Sequence, residues 1–231
     1  DAGFGQQAQR RGQFDFLDQG LEREVPVARG RRGAWPAAPP PGPAPPQSAA
    51  APRVGEEELG KKFFKENKGI FWGVLESRPY MRARAFLAEL LDEAGRVPEA
   101  VEHLEAMLEL NPNDNQGLRY VLIGHYLMLN RLEDVRRVMK QYKEGSAFFK
   151  WARVLEQFLT GDEKAAKKAL MEARKSNPYA EDYLAGRKKL PRDLPGYYSI
   201  GDLSEGIICA SEQRKAWVKH PAAVEWLNAN K

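Results

Sequence analysis

From about residue 55 onward, apolar residues recur at the three- and four-residue spacing of one helix face, and no stretch alternates with period two. Glu56-Glu57-Glu58-Leu59 opens a charged helix that carries Phe63 and Phe64 and stops near Asn67-Lys68-Gly69. Ile70, Phe71, Trp72, Val74 and Leu75 follow as a short apolar link, expected to pack under the next helix. Arg78 to Ala94 then carries a stripe of Phe86, Leu87, Leu90 and Leu91. After a turn at Gly95-Arg96, Pro98 falls where a first-turn proline is tolerated. Ala100, Val101, Leu104, Met107, Leu108 and Leu110 form the next stripe, closed by Asn111-Pro112-Asn113-Asp114. The expected fold class is all-α.

The stripes repeat. Three turns, Gly95-Arg96, Asn130-Arg131 and Gly161-Asp162, lie 35 and 31 residues apart. At equal distances beyond them fall Ala100, Val135 and Ala166, then Leu104, Met139 and Leu170, then Met107, Tyr142 and Ala173. Each turn is preceded by a stripe of its own: Leu87/Ala88/Leu91, Leu122/Ile123/Tyr126 and Trp151/Leu155/Phe158. A helix pair repeated at this period cannot bury its apolar face alone and must stack on its neighbours.

These positions resemble the tetratricopeptide repeat, a helix pair of about 34 residues. Counted from Met81, its small position falls on Ala100, its large apolar position on Leu104 and its closing proline on Pro112. Arg84 and Ala88 stand where the repeat's early tryptophan and glycine would be, and the third copy is expected to have a shortened first helix. A second resemblance, to the suppressor-of-tumorigenicity-7 family and related bacterial repeat proteins, rests on short C-terminal blocks. These are Asn177-Pro178-Tyr179, Tyr183-Leu184, Lys188-Lys189-Leu190-Pro191, Gly201-Asp202 and Ala222 to Leu227. Phe71-Trp72-Gly73, Arg78 to Arg84 and Asn111 to Gly117 are similar to the bacterial members. Both resemblances imply a right-handed helical-repeat solenoid without catalytic activity. Repeat-like units are expected over about 78–112, 115–147 and 148–178, with capping helices over 202–230. Pro191 and Pro195 make Arg187–Tyr198 an extended connector, Asp202 caps a helix over Leu203–Lys219, and Pro221 starts the last helix, which ends at Leu227. That terminal pair is expected to cover the open end of the stack.

Composition divides the chain in two. Residues 1–55 hold nine of the sixteen prolines, eight of them between Pro36 and Pro52, and seven arginines but no lysine. Residues 1–54 are therefore expected to be a disordered Ala/Pro/Arg-rich arm with polyproline-II character. The Phe14-Asp15-Phe16-Leu17 cluster is a possible short binding segment, and the prolines a possible ligand for an aromatic groove. The chain opens on Asp1, with no basic-then-apolar leader, so its natural start is expected upstream. The longest uncharged apolar run, Tyr120 to Leu129, is far below the roughly 20 residues that span a bilayer. A cytoplasmic location is expected.

Candidate chemistry is sparse. No glycine-rich phosphate loop, His-Glu-x-x-His, Gly-x-Ser-x-Gly or Cys-x-x-Cys occurs. The one cysteine, Cys209, lies in an apolar run and reads as buried. His125 reads as packed mid-helix, His103 as a solvated surface residue and His220 as a helix-boundary residue. No catalysis, cofactor or metal is expected. The candidate partner-binding residues are Arg78, Arg82 and Arg84 around Tyr80, then Asn115, Gln116, Arg119 and Tyr120. In the resembling family, first helices line a concave groove, where arginine and amide side chains grip a peptide. The family's chaperone-tail clamp wants lysine and asparagine where this chain has Ala85 and Glu89, which argues against that partner. The leading expectation is a protein-interaction scaffold or adaptor, with its protein or peptide partner and its oligomeric state left open. The runner-up is a nucleic-acid-associated accessory protein using Lys164, Lys167, Lys168, Arg174, Lys175, Arg187, Lys188 and Lys189. Interleaved acids weigh against it, and so does an overall charge of only +4.

Overall fold

The structure, a computed structural model, describes residues 46–231, with side-chain surroundings from Pro52 onward. Among the described residues there are ten α-helices and no strand, the all-α helix-pair fold of tetratricopeptide type. They fall into two compact units, one reaching Asn115 and one running from Gln116 to Lys231. Most of the expected arm, Phe14–Leu17 included, lies outside the described residues. Its last stretch is already helical, because α1 spans Pro46–Asn67 rather than starting at Glu56. Proline is tolerated in a first turn, and Ala49 to Ala51 are strong helix formers. Gly60, at φ 73° and ψ 156°, breaks α1 into two helical segments.

In the first unit, α2 (Arg78–Glu93) and α3 (Val97–Leu110) pack as a pair. The buried stripe of α2 is Met81, Ala85, Leu87, Ala88 and Leu91, whereas Phe86 is 40% exposed and Leu90 half-buried. The contact face is thus turned toward the alanines, which let helices approach closely. Ala100, Val101, Leu104 and Met107 of α3 are buried. Of the apolar link only Phe71 is fully covered, while Ile70 and Leu75 face solvent. Two 3₁₀ turns, Phe71–Gly73 and Leu75–Ser77, tuck Phe71 against Phe63, Phe64 and Tyr80, with centroids 4.9–5.9 Å apart.

The second unit contains α4 (Leu118–Met128), α5 (Leu132–Tyr142), α6 (Ala147–Leu159), α7 (Glu163–Ser176), the short α8 (Tyr179–Leu184), α9 (Leu203–Lys219) and α10 (Pro221–Ala229). The turn residues Gly95, Asn130 and Gly161 all have left-handed φ, 76°, 57° and 80°. Glycine and asparagine are the residues that tolerate this conformation after a helix. The aligned positions Ala100, Val135 and Ala166 are fully buried. The first helix of the third copy is not short: α6 has 13 residues and α4 has 11. The missing length lies in α5, 11 residues against 14 in α3, and in the shorter connector that follows it.

The C-terminal helices do more than close an end. α9 packs against α4 and α6, the first helices of two successive pairs, and against α8 and α10. Gly124 makes this approach possible, since a Cβ there would lie 2.7 Å from the Glu212 carbonyl oxygen of α9. The buried Glu205 carboxylate accepts from the Ala147 amide (3.1 Å), Asn177 Nδ2 (3.0 Å) and the Gly201 amide (2.7 Å), fastening α9 to the start of α6 and the end of α7. Gln213 Nε2 donates to the Phe148 carbonyl at 2.6 Å. Asp202 caps α9 through the Glu205 amide at 2.8 Å. Among the described residues no helix is long and apolar enough to cross a membrane.

Candidate functional site

The seven sequence-selected residues divide between the two units. In the first, Arg78 donates from Nε to the Trp72 carbonyl (3.1 Å) and lies over the Trp72 ring. Arg84 donates to the Tyr80 hydroxyl and faces Glu56 at 3.7 Å, and its side chain is largely covered. Tyr80 in turn donates to Glu56 Oε1 at 3.0 Å, and burial pushes its phenol pKa up. Arg82 is exposed and makes no ion pair among the described residues. Asn115, also exposed, accepts from Asn111 Nδ2 at 3.1 Å. The unit therefore presents Arg82 and Asn115 to solvent and uses Arg78 and Arg84 to fasten helices.

In the second unit, Gln116 has a buried Oε1 without a hydrogen-bond partner among the described residues. Arg119, a candidate partner-binding residue, has a side chain only 11% exposed. Its guanidinium donates to Glu144 Oε2 from Nε (3.2 Å) and Nη2 (3.0 Å), and from Nη2 to the Tyr120 hydroxyl (2.8 Å). The Tyr120 hydroxyl in turn donates to Glu144 Oε2 at 3.1 Å. The Tyr120 and Tyr142 rings lie 4.3 and 5.3 Å from the guanidinium carbon. Burial raises the Tyr120 phenol pKa, so it stays protonated and able to donate. This cluster ties the start of α4 to the connector before α6.

The basic set also divides. Arg174 donates twice to Glu181 (2.6 and 2.9 Å) and once to the Asn230 carbonyl, while Arg187 meets Glu181, Asp182 and Asn228. Lys188 pairs with Asp182 at 3.3 Å. These three cations hold the α7–α8 junction to the chain's last turn and to its own loop. Lys164, Lys168, Lys175 and Lys189 remain exposed without an ion pair among the described residues, and Lys167 pairs with Glu163.

A second set of cations was not among the sequence candidates: Arg136, Arg137 and Lys140 on α5, Lys143 just past its end, and Lys150 and Arg153 on α6. The available signal was the 136/140 spacing, which sets two cations on one helix face. An open groove of about 340 Å³ lies along α6 and α7, with Met139 of α5 and Glu144 of the following connector also lining it. Met139, Phe149, Ala165 and Ala169 supply its apolar surface, and Lys150, Arg153 and Lys168 its cations. The fully buried Glu156 is satisfied by Arg136 Nε (2.7 Å), Gln157 (2.6 Å) and Arg153 (3.5 Å). Glu144, on the rim, is already held by Arg119 and by Ser146 at 2.7 Å.

Cys209 and His125 are buried, and burial raises the Cys209 thiol pKa. His103 was expected in solvent but is half-buried, its Nδ1 has no partner among the described residues, and burial lowers its pKa. His220 joins α9 to α10 and sits with Nε2 2.9 Å from the Leu127 carbonyl. No group of His, Cys, Asp or Glu among the described residues could hold a metal ion.

The tetratricopeptide repeat family model matches residues 93–148, from the end of α2 to the start of α6, and supports a tetratricopeptide-type protein. The match does not reach the C-terminal blocks. Neither a curated protein nor a solved structure matches this chain.

Proposed function

We propose that this protein is a non-catalytic scaffold or adaptor that binds other proteins through its helix pairs. The observation that carries this reading is the helix pair repeated from α2 to α7, with the family match covering α3, α4 and α5. Repeats of this type generally serve protein–protein interaction, because stacked pairs present long surfaces built from side chains at fixed spacing. In the first unit, exposed Arg82 and Asn115 are the proposed contacts, one offering a planar fork of donors and the other an amide. Arg84 and Arg119 act indirectly, by holding the helices that carry such contacts. In the second unit, the face where first helices adjoin is taken by α9, which closes the route a peptide would follow in an open groove.

Affinity purification of the tagged full chain, followed by reconstitution with each purified candidate, tests the reading. The expected result is a saturable complex of fixed stoichiometry. Multiple turnover of a substrate by the purified chain, with no such complex, would overturn it.

A further inference from the structure

In the first unit, the part of α1 before the break at Gly60 is seated on α2 by few contacts. Pro52 is buried, but Arg53, Val54 and Glu56 to Glu58 are exposed. Gly55 lies against the Tyr80 ring, where a Cβ would come within 3.1 Å of Cδ2. Glu56 Oε1 accepts from the Tyr80 hydroxyl at 3.0 Å but stays 3.7 Å from Arg84 Nη1, longer than a hydrogen bond. Beneath this segment two nitrogens are buried without a hydrogen-bond partner among the described residues, Nε of Arg84 and Nδ1 of His103. Arg84 and Glu56 both act on the charge of His103, so groups from α1, α2 and α3 meet here. The two carboxylates beside His103 on α3 are turned elsewhere: Glu99 accepts from Arg96 at 2.6 Å, and Glu102 is exposed. A buried donor without an acceptor is unfavourable, and a carboxylate set against the Arg84 fork would satisfy it through two hydrogen bonds.

We propose that Tyr80, Arg84 and His103 form a carboxylate-binding site, and that residues 52–59 are a displaceable strap whose place is taken by an acidic segment of a partner protein. This rests on the interaction reading above and adds a site, its gate and the chemistry of the partner. Gly60 supplies the hinge, with φ 73° and nothing within 4 Å of an added Cβ. Beyond the hinge, Phe63 and Phe64 keep the rest of α1 on Phe71 and Tyr80. The strap itself displays what this surface accepts, a small residue on the tyrosine ring followed by a carboxylate. A partner with that pattern, and with its carboxylate in reach of Arg84 Nε, makes hydrogen bonds that Glu56 does not. Nδ1 of His103, in the tautomer that protonates it, is a further donor. With the strap seated Arg84 fastens α1 to α2, and with the strap displaced the same guanidinium holds the partner.

The test is fluorescence anisotropy on the full chain with a labelled, end-blocked peptide of residues 52–62. The same peptide with glutamine at 56, 57 and 58 is the comparison probe. Gly55→Leu in the protein crowds the Tyr80 ring and lifts the strap without touching the three site residues, so it should tighten peptide binding by about tenfold. Adding Arg84→Met should weaken that binding by about tenfold or more. Arg192→Met, an exposed arginine of the other unit, changes net charge equally and should move affinity by no more than about twofold. In the native chain, saturating peptide should speed amide hydrogen exchange over Val54–Leu59, because the strap is released. Slower exchange there would place the peptide on the strap and overturn the gate. Equal binding of the glutamine peptide, no gain from Gly55→Leu, or equal loss in the two arginine variants would overturn the site. Should circular dichroism show that Arg84→Met loses helix, His103→Leu removes the other unpartnered nitrogen, and unchanged binding in that variant overturns the site as well. If the full chain forms stoichiometric protein complexes while the strap never yields to the peptide, the site falls and the interaction reading stands.

Discussion

Replacing Arg119 by methionine separates a guanidinium that holds the fold from one that waits for a ligand. The native group donates to Glu144 at 3.0 and 3.2 Å and to Tyr120 at 2.8 Å, with its side chain 11% and that of Glu144 22% exposed. Methionine fills similar volume but leaves the Glu144 carboxylate uncompensated in charge, held by the neutral hydroxyls of Tyr120 and Ser146. Removing one partner of a fully buried pair costs about 3–5 kcal/mol, and exposed pairs contribute under about 1 kcal/mol. Cover of this degree places Arg119→Met at about 2–3 kcal/mol, since solvent screens only the rim of the pair. Urea unfolding followed by circular dichroism reads the change as a lower midpoint at unchanged slope. Adding Glu144→Gln should recover part of the loss, because no carboxylate is then stranded. A cost under about 0.5 kcal/mol would refute the structural role and return Arg119 to the list of free contacts.

Three further outcomes follow from the packing. Ala100→Leu puts three extra carbons into a fully buried α2–α3 contact and should cost about 1–3 kcal/mol, whereas a neutral melt would sink the repeat alignment. Gly124→Ala should lower the melting temperature, because its Cβ would sit 2.7 Å from the Glu212 carbonyl on α9; a gain of about 1 kcal/mol, as helix propensity alone predicts, would show that α9 is not seated there. Burial works to raise the Glu181 carboxyl pKa, but hydrogen bonds from Arg174 and Arg187 prevail and hold it below the ordinary glutamate value. A depressed folded pKa contributes stability above the unfolded value of about 4.3, lost as pH falls through the folded pKa. Unfolding midpoints should therefore drop below about pH 4 more steeply in the native chain than in Glu181→Gln. Parallel profiles would contradict that role.

Much of the fold was legible in local chemistry. The apolar period, the turn residues Gly95, Asn130 and Gly161, the small residue Ala100 and the caps at Asp202 and Pro221 each act within a turn or two of themselves. Such interactions leave their mark on neighbouring positions, so the helix pairs and their order could be read directly. Where α9 lies could not. Its contacts with α4 and α6 join residues far apart in the chain, and a glycine at 124 does not announce which backbone will approach it. Charge showed the same division. Arg82, Arg119 and Arg174 are alike as letters, but one faces solvent, one is enclosed with Glu144 and one grips Glu181 and the last turn of the chain. Whether a cation is free for a partner depends on which carboxylates the tertiary structure brings within reach. The sequence determined the helices and their repeat, and only the packed structure decided which faces are spent on the fold and which remain open, because burial and pairing are properties of distant neighbours.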